Sequence, residues 1–327
     1  MERIEIWGDV IPGNSGALKE TVMEIKYKKN PNVTIDTIRW LLALRGSKFR
    51  DNKRILDTFT ATWVAKRDDA YRETFEDVPY LLPFVVKESR QAVIVVPGGG
   101  YCTKEMEGEG TLIAEELNRN GITAFVLWYR TNPYYQPYPL LDMQRAVRYV
   151  RFHAKEYGYD EDKISAIGFS GGGSQVAMFA NILQGNEKLC PDYPKDEIDR
   201  TDDRLNRIAL VYPLLSYCEN VPLMFASFPA QDVRDEKRRM ELMDIYDAVN
   251  HMKCTGIPHF ICYGSKEDMV SVSKIEDYVE ILQKSGTSLK RVIVEGAKHG
   301  YGAAMGKKEG YWLEEYIRWL KGEYAAL

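Results

Sequence analysis

The residues with the most chemical content are Gly168, Phe169, Ser170, Gly171 and Gly172, a G-x-S-x-G run. It ends the apolar stretch from Lys163 to Phe169 and opens a small-residue stretch from Gly173 to Ala180. Strand, sharp turn and helix, in that order, are the setting in which such a serine becomes a nucleophile, because the turn strains its backbone and exposes its hydroxyl. Flanking glycines omit the Cβ atoms that would clash in so tight a bend. The N-terminus of the helix that follows faces the negative charge that develops during attack on an acyl carbon.

Acyl transfer by a serine also requires a general base, an acid that orients the base, and N–H donors for the oxyanion. With only four histidines in the chain, the base can be sought by elimination. His153 lies in the helical stretch 140–157 beside its apolar stripe, His251 ends a charged helical stretch, and His259 opens an apolar strand. His299 instead occupies the glycine-rich loop from Gly296 to Gly302, after the strand Arg291 to Glu295 and before the last helix. It is the candidate base. Glu267 and Asp268 fall in the turn after the strand Phe260 to Tyr263, and either one completes the order serine, acid, histidine. Val95 to Tyr101 places three glycines after an apolar strand, so the N–H of Gly99 or Gly100 can join that of Gly171 in binding an oxyanion. A phosphate cradle is the other use of such a loop. Both G-x-G-x-x-G and the lysine-containing P-loop pattern are missing from it, which weakens that use. Cys102, beside the loop, has no histidine near it in sequence and reads as a bystander. Tyr101 and the run Tyr134, Tyr135 and Tyr138 offer aromatic faces for a sugar ring, or else packing.

These residues need a scaffold, and the apolar pattern supplies one. Short, continuously apolar runs at Ala92 to Val96, Ile122 to Trp128, Ile164 to Phe169, Ile208 to Tyr212, His259 to Tyr263 and Arg291 to Glu295 read as strands covered on both faces. Helical stretches alternate with them at 111–120, 140–157, 274–284 and 311–321, three of them stopped by Gly121, Gly286 or Gly322. Alternation of this kind predicts an α/β fold, a doubly wound and mostly parallel sheet with helices on both faces. Residues 1–78 are less regular. Alternating runs at Glu24 to Lys28 and Asp57 to Val64, with a short amphipathic stretch at Ile38 to Leu44, predict an N-terminal extension of edge strands and a helix packed on a main domain at 79–327. An irregular insertion at about 186–207 carries several acids and reads as an exposed loop, with part of a lid as the alternative.

Composition narrows the partners. Lys+Arg 44 against Asp+Glu 48 gives a net charge of -4, which favours neither nucleic acid nor an anionic membrane. No apolar run is long enough to span a bilayer, and the N-terminus has no signal-peptide pattern. The five scattered cysteines lack C-x-x-C spacing, which disfavours structural zinc and a disulfide framework. A cytoplasmic protein is the resulting expectation, with a homodimer through the N-terminal segment as an option.

From about Pro79 to the C-terminus the chain resembles the α/β-hydrolase superfamily, within it the small esterases related to bacterial acetyl-xylan esterases and hormone-sensitive-lipase-like enzymes. The resemblance rests on Pro97 to Tyr101, Trp128 to Arg130, Asp142 to Ala146, Gly168 to Gly172, Asp196 to Asp199 and Lys298 to Gly300. It implies an eight-stranded sheet, Ser170 as nucleophile, His299 as base, no metal and no cofactor. Gly171 stands where the family often has alanine, and Ser271 where it has proline. Counting without a gap from Gly264 to Val270 puts Glu267 at the acid position, and a one-residue loop adjustment would put Asp268 there. The expectation is a serine hydrolase for small carboxylic esters, acetyl esters of carbohydrates first. Alternatives are a peptidase or amidase with the same triad, and a non-catalytic binding protein on the same fold.

Overall fold

The computed structural model describes residues 2–14, 78–101, 104–131, 134–186, 193–218 and 220–323. The runs Glu24 to Lys28, Ile38 to Leu44 and Asp57 to Val64 lie outside them, as do Cys102 and Cys190.

Among the described residues, eight strands form one sheet: β1 (Ile4–Glu5), β2 (Tyr80–Phe84), β3 (Ala92–Val96), β4 (Thr123–Trp128), β5 (Ile164–Phe169), β6 (Arg207–Val211), β7 (His259–Gly264) and β8 (Leu289–Val294). Their spatial order is β1-β2-β4-β3-β5-β6-β7-β8. From β4 across to β8 every pairing is parallel, whereas β1 and β2 join antiparallel at one edge. Every residue of β3, β4, β5 and β7 is buried, as continuous apolar runs require when helices cover both faces.

The chain runs from β3 to its neighbour β4 and then back past β3 to β5. That reversal opens a crevice beyond the carboxyl ends of β3 and β5, where ligands bind in open α/β sheets. The glycine loop leaves β3 there and Ser170 leaves β5, with Val96 and Gly168 paired in register.

The α-helices among the described residues are α1 (Leu112–Arg119), α2 (Tyr138–Phe152), α3 (Ala154–Tyr157), α4 (Gly171–Met178), α5 (Val221–Ser227), α6 (Ala230–Arg234), α7 (Glu236–Ile245), α8 (Val272–Lys284) and α9 (Tyr311–Leu320). The single helix expected over 140–157 is interrupted at His153, which leaves helical geometry at φ -93° and ψ 9° and packs at a tilt against Tyr149, 4.3 Å between ring centroids. Among the described residues no helix is long and apolar enough to cross a membrane.

One segment departs in part from its sequence reading. Much of the stretch preceding β6 is exposed, but Asp199 and Asp203 are buried where α2 presents arginines to them. Arg145 pairs with Asp196 at 2.6 Å and with Asp199 at 3.0 Å, and Gln144 donates to Asp203 at 2.7 Å. The N-terminal residues are likewise anchored. Trp7 Nε1 donates to Asp142, which is itself paired with the buried Arg130 at 2.7 Å, and Arg130 also donates to the Pro12 carbonyl.

Candidate active site

Ser170 sits between β5 and α4 with φ 49° and ψ -116°. Positive φ is costly for a residue with a Cβ, and such strain concentrates at functional sites. The surrounding glycines are forced by contact. A Cβ on Gly168 would lie 2.3 Å from the Gly172 carbonyl oxygen, and one on Gly172 would lie 2.1 Å from that of Val96. Gly171 is looser, since its Cβ would meet the Gly100 nitrogen at 3.2 Å. The alanine common in the family is therefore nearly accommodated.

The Ser170 Oγ is 2.8 Å from His299 Nε2, and His299 Nδ1 is 2.8 Å from Glu267 Oε1. The side chains of His299 and Glu267 are 2% and 0% exposed. Both belong to loops at the carboxyl ends of β7 and β8, and the loops are tied together. Lys266 N–H donates to the Ala297 carbonyl and Gly296 N–H to the Ser265 hydroxyl. Gly264 permits that approach, because a Cβ there would lie 2.2 Å from the Ala297 oxygen. Glu267 Oε1 also accepts from the N–H groups of Asp268, Met269 and Val270 at 3.1, 2.9 and 3.2 Å.

Asp268, the other acid expected here, does not reach the imidazole. Its Oδ2 meets Lys298 Nζ at 2.9 Å on the exposed side of the turn. The turn places neighbouring residues on opposite sides, so only one can face the histidine. Ser271 caps α8, accepting from the Lys274 N–H at 3.4 Å, which gives the residue in the family's proline position a purpose here.

Opposite the serine, the glycine loop bends through φ 137° at Gly99 and 60° at Gly100. Gly98 N–H is engaged by the Glu109 carboxylate at 2.8 Å, which leaves Gly99 and Gly100, with Gly171, as the candidate oxyanion donors. Gly100 and Gly171 face each other across the loop contact given above.

Tyr101 is not the exposed ring that substrate stacking needs. It is 1% exposed, and its hydroxyl donates to Gln175 at 3.2 Å. Tyr134 and Tyr138 are packing residues as well, with the Arg130 guanidinium over both rings at 5.2 and 5.3 Å. The other histidines stay out of the site. His153 meets Glu156, His251 meets the Asp244 carbonyl, and His259 is buried against Tyr278. Burial lowers His259 from its ordinary 6.5 to about 4.

Two residues near the site went unread in the sequence. Glu109 is buried behind the glycine loop, where loss of hydration raises its carboxyl to about 7 despite hydrogen bonds from Tyr212 and Gly98. Tyr212 follows β6 at φ 38°, with its ring centroid 4.8 Å from that of His299. Neither residue sits in a motif, and Glu109 falls just before the helical stretch expected at 111–120.

The family BD-FAE matches residues 80–282, well over half of the chain and the whole of the sheet from β2 to β7. The chain belongs to the BD-FAE family. A protein named endo-1,4-beta-xylanase B from Butyrivibrio fibrisolvens is 26% identical over 86% of this chain and 42% of its own length. An acetylxylan esterase from Xylanibacter ruminicola is 24% identical over 71% of this chain and 46% of its own. This BD-FAE chain thus spans about half the length of those curated relatives. Among solved structures, the acetyl ester-xyloside bifunctional hydrolase from Caldicellulosiruptor lactoaceticus superposes with a TM-score of 0.65 at 30% identity, covering 75% of this chain and 88% of that one. The carboxylesterase Cest-2923 from Lactobacillus plantarum, at 19% identity and a TM-score of 0.61, shares the fold. The sheet is that of an α/β-hydrolase.

Proposed function

We propose that this protein is a carboxylic ester hydrolase that works through an acyl-enzyme on Ser170, with acetyl esters of carbohydrates as its substrates. The observation that carries this reading is the unbroken chain of contacts from Ser170 Oγ to His299 Nε2 and from His299 Nδ1 to Glu267, 2.8 Å at each step. Attack by Ser170 on the ester carbon passes its proton to His299 Nε2. Glu267 keeps the Nδ1 proton in place and stabilises the imidazolium, as the acid of such a triad does. The oxyanion falls to the N–H groups at Gly99 or Gly100 and at Gly171, next to the N-terminus of α4. His299 then protonates the departing alcohol, and a water molecule activated by the same imidazole releases the acid.

The sugar acetate is supported by what the relatives are named, an acetylxylan esterase and an acetyl ester-xyloside hydrolase among them. A reducing, cytoplasmic setting belongs to the same proposal and is supported by the free cysteines Cys218, Cys254 and Cys262. The test is hydrolysis of p-nitrophenyl acetate and of acetylated xylo-oligosaccharides by the intact chain and by Ser170→Ala, with fluorophosphonate labelling alongside. Release of acetate from the oligosaccharide, lost with Ser170→Ala together with the label, is the expected result. Full activity in Ser170→Ala would overturn the mechanism. Turnover of the nitrophenyl ester alone would overturn the sugar ester.

A further inference from the structure

Glu109 stands at the junction of the two loops that the reaction needs. It lies on the π-helical turn Glu107–Thr111 ahead of α1 and is 2% exposed. Its Oε2 accepts from Gly98 N–H at 2.8 Å, and its Oε1 accepts from the Tyr212 hydroxyl at 2.7 Å. The Tyr212 oxygen in turn accepts from Gly302 N–H at 3.1 Å. A second bond, from Ala303 N–H to the Gly108 carbonyl at 3.0 Å, fastens the same two segments. The glycine loop and the loop carrying His299 are thereby joined through one carboxylate and one phenol.

The space around Gly98 makes this junction sensitive. A Cβ on Gly98 would lie 2.7 Å from Glu109 Oε2 and 2.8 Å from the Ser170 Cβ. Gly98 is thus held between Glu109 and Ser170, and a shift of the carboxylate moves the loop relative to the nucleophile. On its other side, the Tyr212 ring packs against His299. The hydrogen-bond demand also explains the residue type. Both partners donate to it, so the group between them must accept with both of its oxygens, which a carboxylate does and an amide does not. Placing an acid in so dry a position opposes its ionisation. A buried carboxyl with a raised pKa beside a cleft is more common at functional sites than elsewhere.

We propose that Glu109 is a positioning residue for acyl transfer, fixing the oxyanion loop and the His299 loop relative to Ser170 through Gly98 and Tyr212. This rests on the serine-hydrolase reading above. It makes no contact with substrate and works entirely through the groups it holds.

The variants Glu109→Gln and Tyr212→Phe, assayed on p-nitrophenyl acetate, test the idea. Glu109→Gln keeps the volume but turns a donor toward a donor, and Tyr212→Phe removes one hydroxyl from a ring that stays in place. Expected is a fall in kcat of about tenfold to a hundredfold with KM within about twofold, since misplaced oxyanion donors weaken the transition state and leave the ground state alone. Inhibition by an alkylboronic acid, which forms a tetrahedral adduct on the serine, should weaken by the same factor. The double variant should be no worse than Glu109→Gln alone, because both changes break one unit. A merely structural residue would lower the melting temperature and leave kcat and boronate affinity unchanged. That outcome, in whichever variant is recovered folded, would overturn the proposal while Ser170-dependent activity persisted. Loss of Ser170 dependence would instead sink the underlying reading.

Discussion

Glu267 and Asp268 are adjacent in sequence and face opposite ways. Glu267 reaches His299 Nδ1 at 2.8 Å from a dry position, while Asp268 meets Lys298 on the surface. Replacing Glu267 with alanine should lower kcat/KM by on the order of 10³ to 10⁴, as removal of a triad acid does elsewhere. Asp268→Asn should stay within a few fold, because an exposed pair with lysine contributes little. Steady-state kinetics on a nitrophenyl ester separate the two. Equal losses in both variants would mean that the acid role had been placed on the wrong residue.

The two glycines after Ser170 should respond differently to the same change. Gly172→Ala drives a methyl group to 2.1 Å from a β3 carbonyl that cannot retreat without breaking the sheet, so both folding and activity should suffer. A cost of about 1–3 kcal/mol or more is expected for such overpacking. Gly171→Ala meets the Gly100 nitrogen at 3.2 Å, which the loop can absorb, so the protein should fold normally with activity within about tenfold of the parent. Urea unfolding and kcat together make the comparison. A Gly172→Ala protein as stable and active as the parent would refute the contact argument.

The site was legible where local chemistry constrains residue type. Ser170 needed its glycines, and His299 was singled out because the other histidines fell in helices or strands. The parallel strands were legible because burial on both faces leaves continuous apolar runs. Other elements left weaker traces. β2 contains Pro83, which argues against a strand, yet β1 pairs only with Tyr80 and Leu81, and past them β2 is an edge where proline is tolerated. Helices α5 to α7 lack a clear apolar stripe. Arg130, Asp142, Arg145, Asp196 and Asp199 all fall in the pieces that carry the family resemblance. Their use is ionic pairing between different elements, twelve residues apart for Arg130 with Asp142 and about fifty for Arg145 with its acids, which no helix or strand period encodes. Glu109 was hidden for the same reason, since its partners are Gly98 and Tyr212.

Asp142 gives those pairs a measurable weight. It accepts from Trp7 Nε1, from the Arg130 backbone and from the Arg130 guanidinium, and neither side chain of the ion pair is exposed. Asp142→Ala strands a buried guanidinium and should cost about 3–5 kcal/mol. Trp7→Phe removes one hydrogen bond to a charged group and should cost about 1–3 kcal/mol. Both are read from urea unfolding of the purified variants. If Asp142→Ala were no less stable than Trp7→Phe, the ion pair would not be what holds residues 2–14 against α2.

Glu109 and His259 should pull the pH dependence of stability in opposite directions. Burial raises Glu109 from 4.5 to about 7, with Glu105 adding to the rise and His299 opposing it. Between those values the folded protein holds a proton that the unfolded chain has lost. Glu109's contribution is therefore complete below 4.5 and disappears as pH rises through 7. Burial lowers His259 from 6.5 to about 4, so there the unfolded chain binds the extra proton and stability is lost as pH falls through that window. Each effect has a ceiling of roughly 3 kcal/mol, taken from the size of the shift. Between about pH 4.5 and 6.5 the two nearly cancel in the parent protein. Glu109→Gln should then expose a slope that rises with pH, and His259→Gln one that falls. Unfolding free energies measured in urea at pH 4.5, 5.5 and 6.5 would reveal both slopes. Parallel curves for the parent and the two variants would show that neither group is held away from its ordinary ionisation.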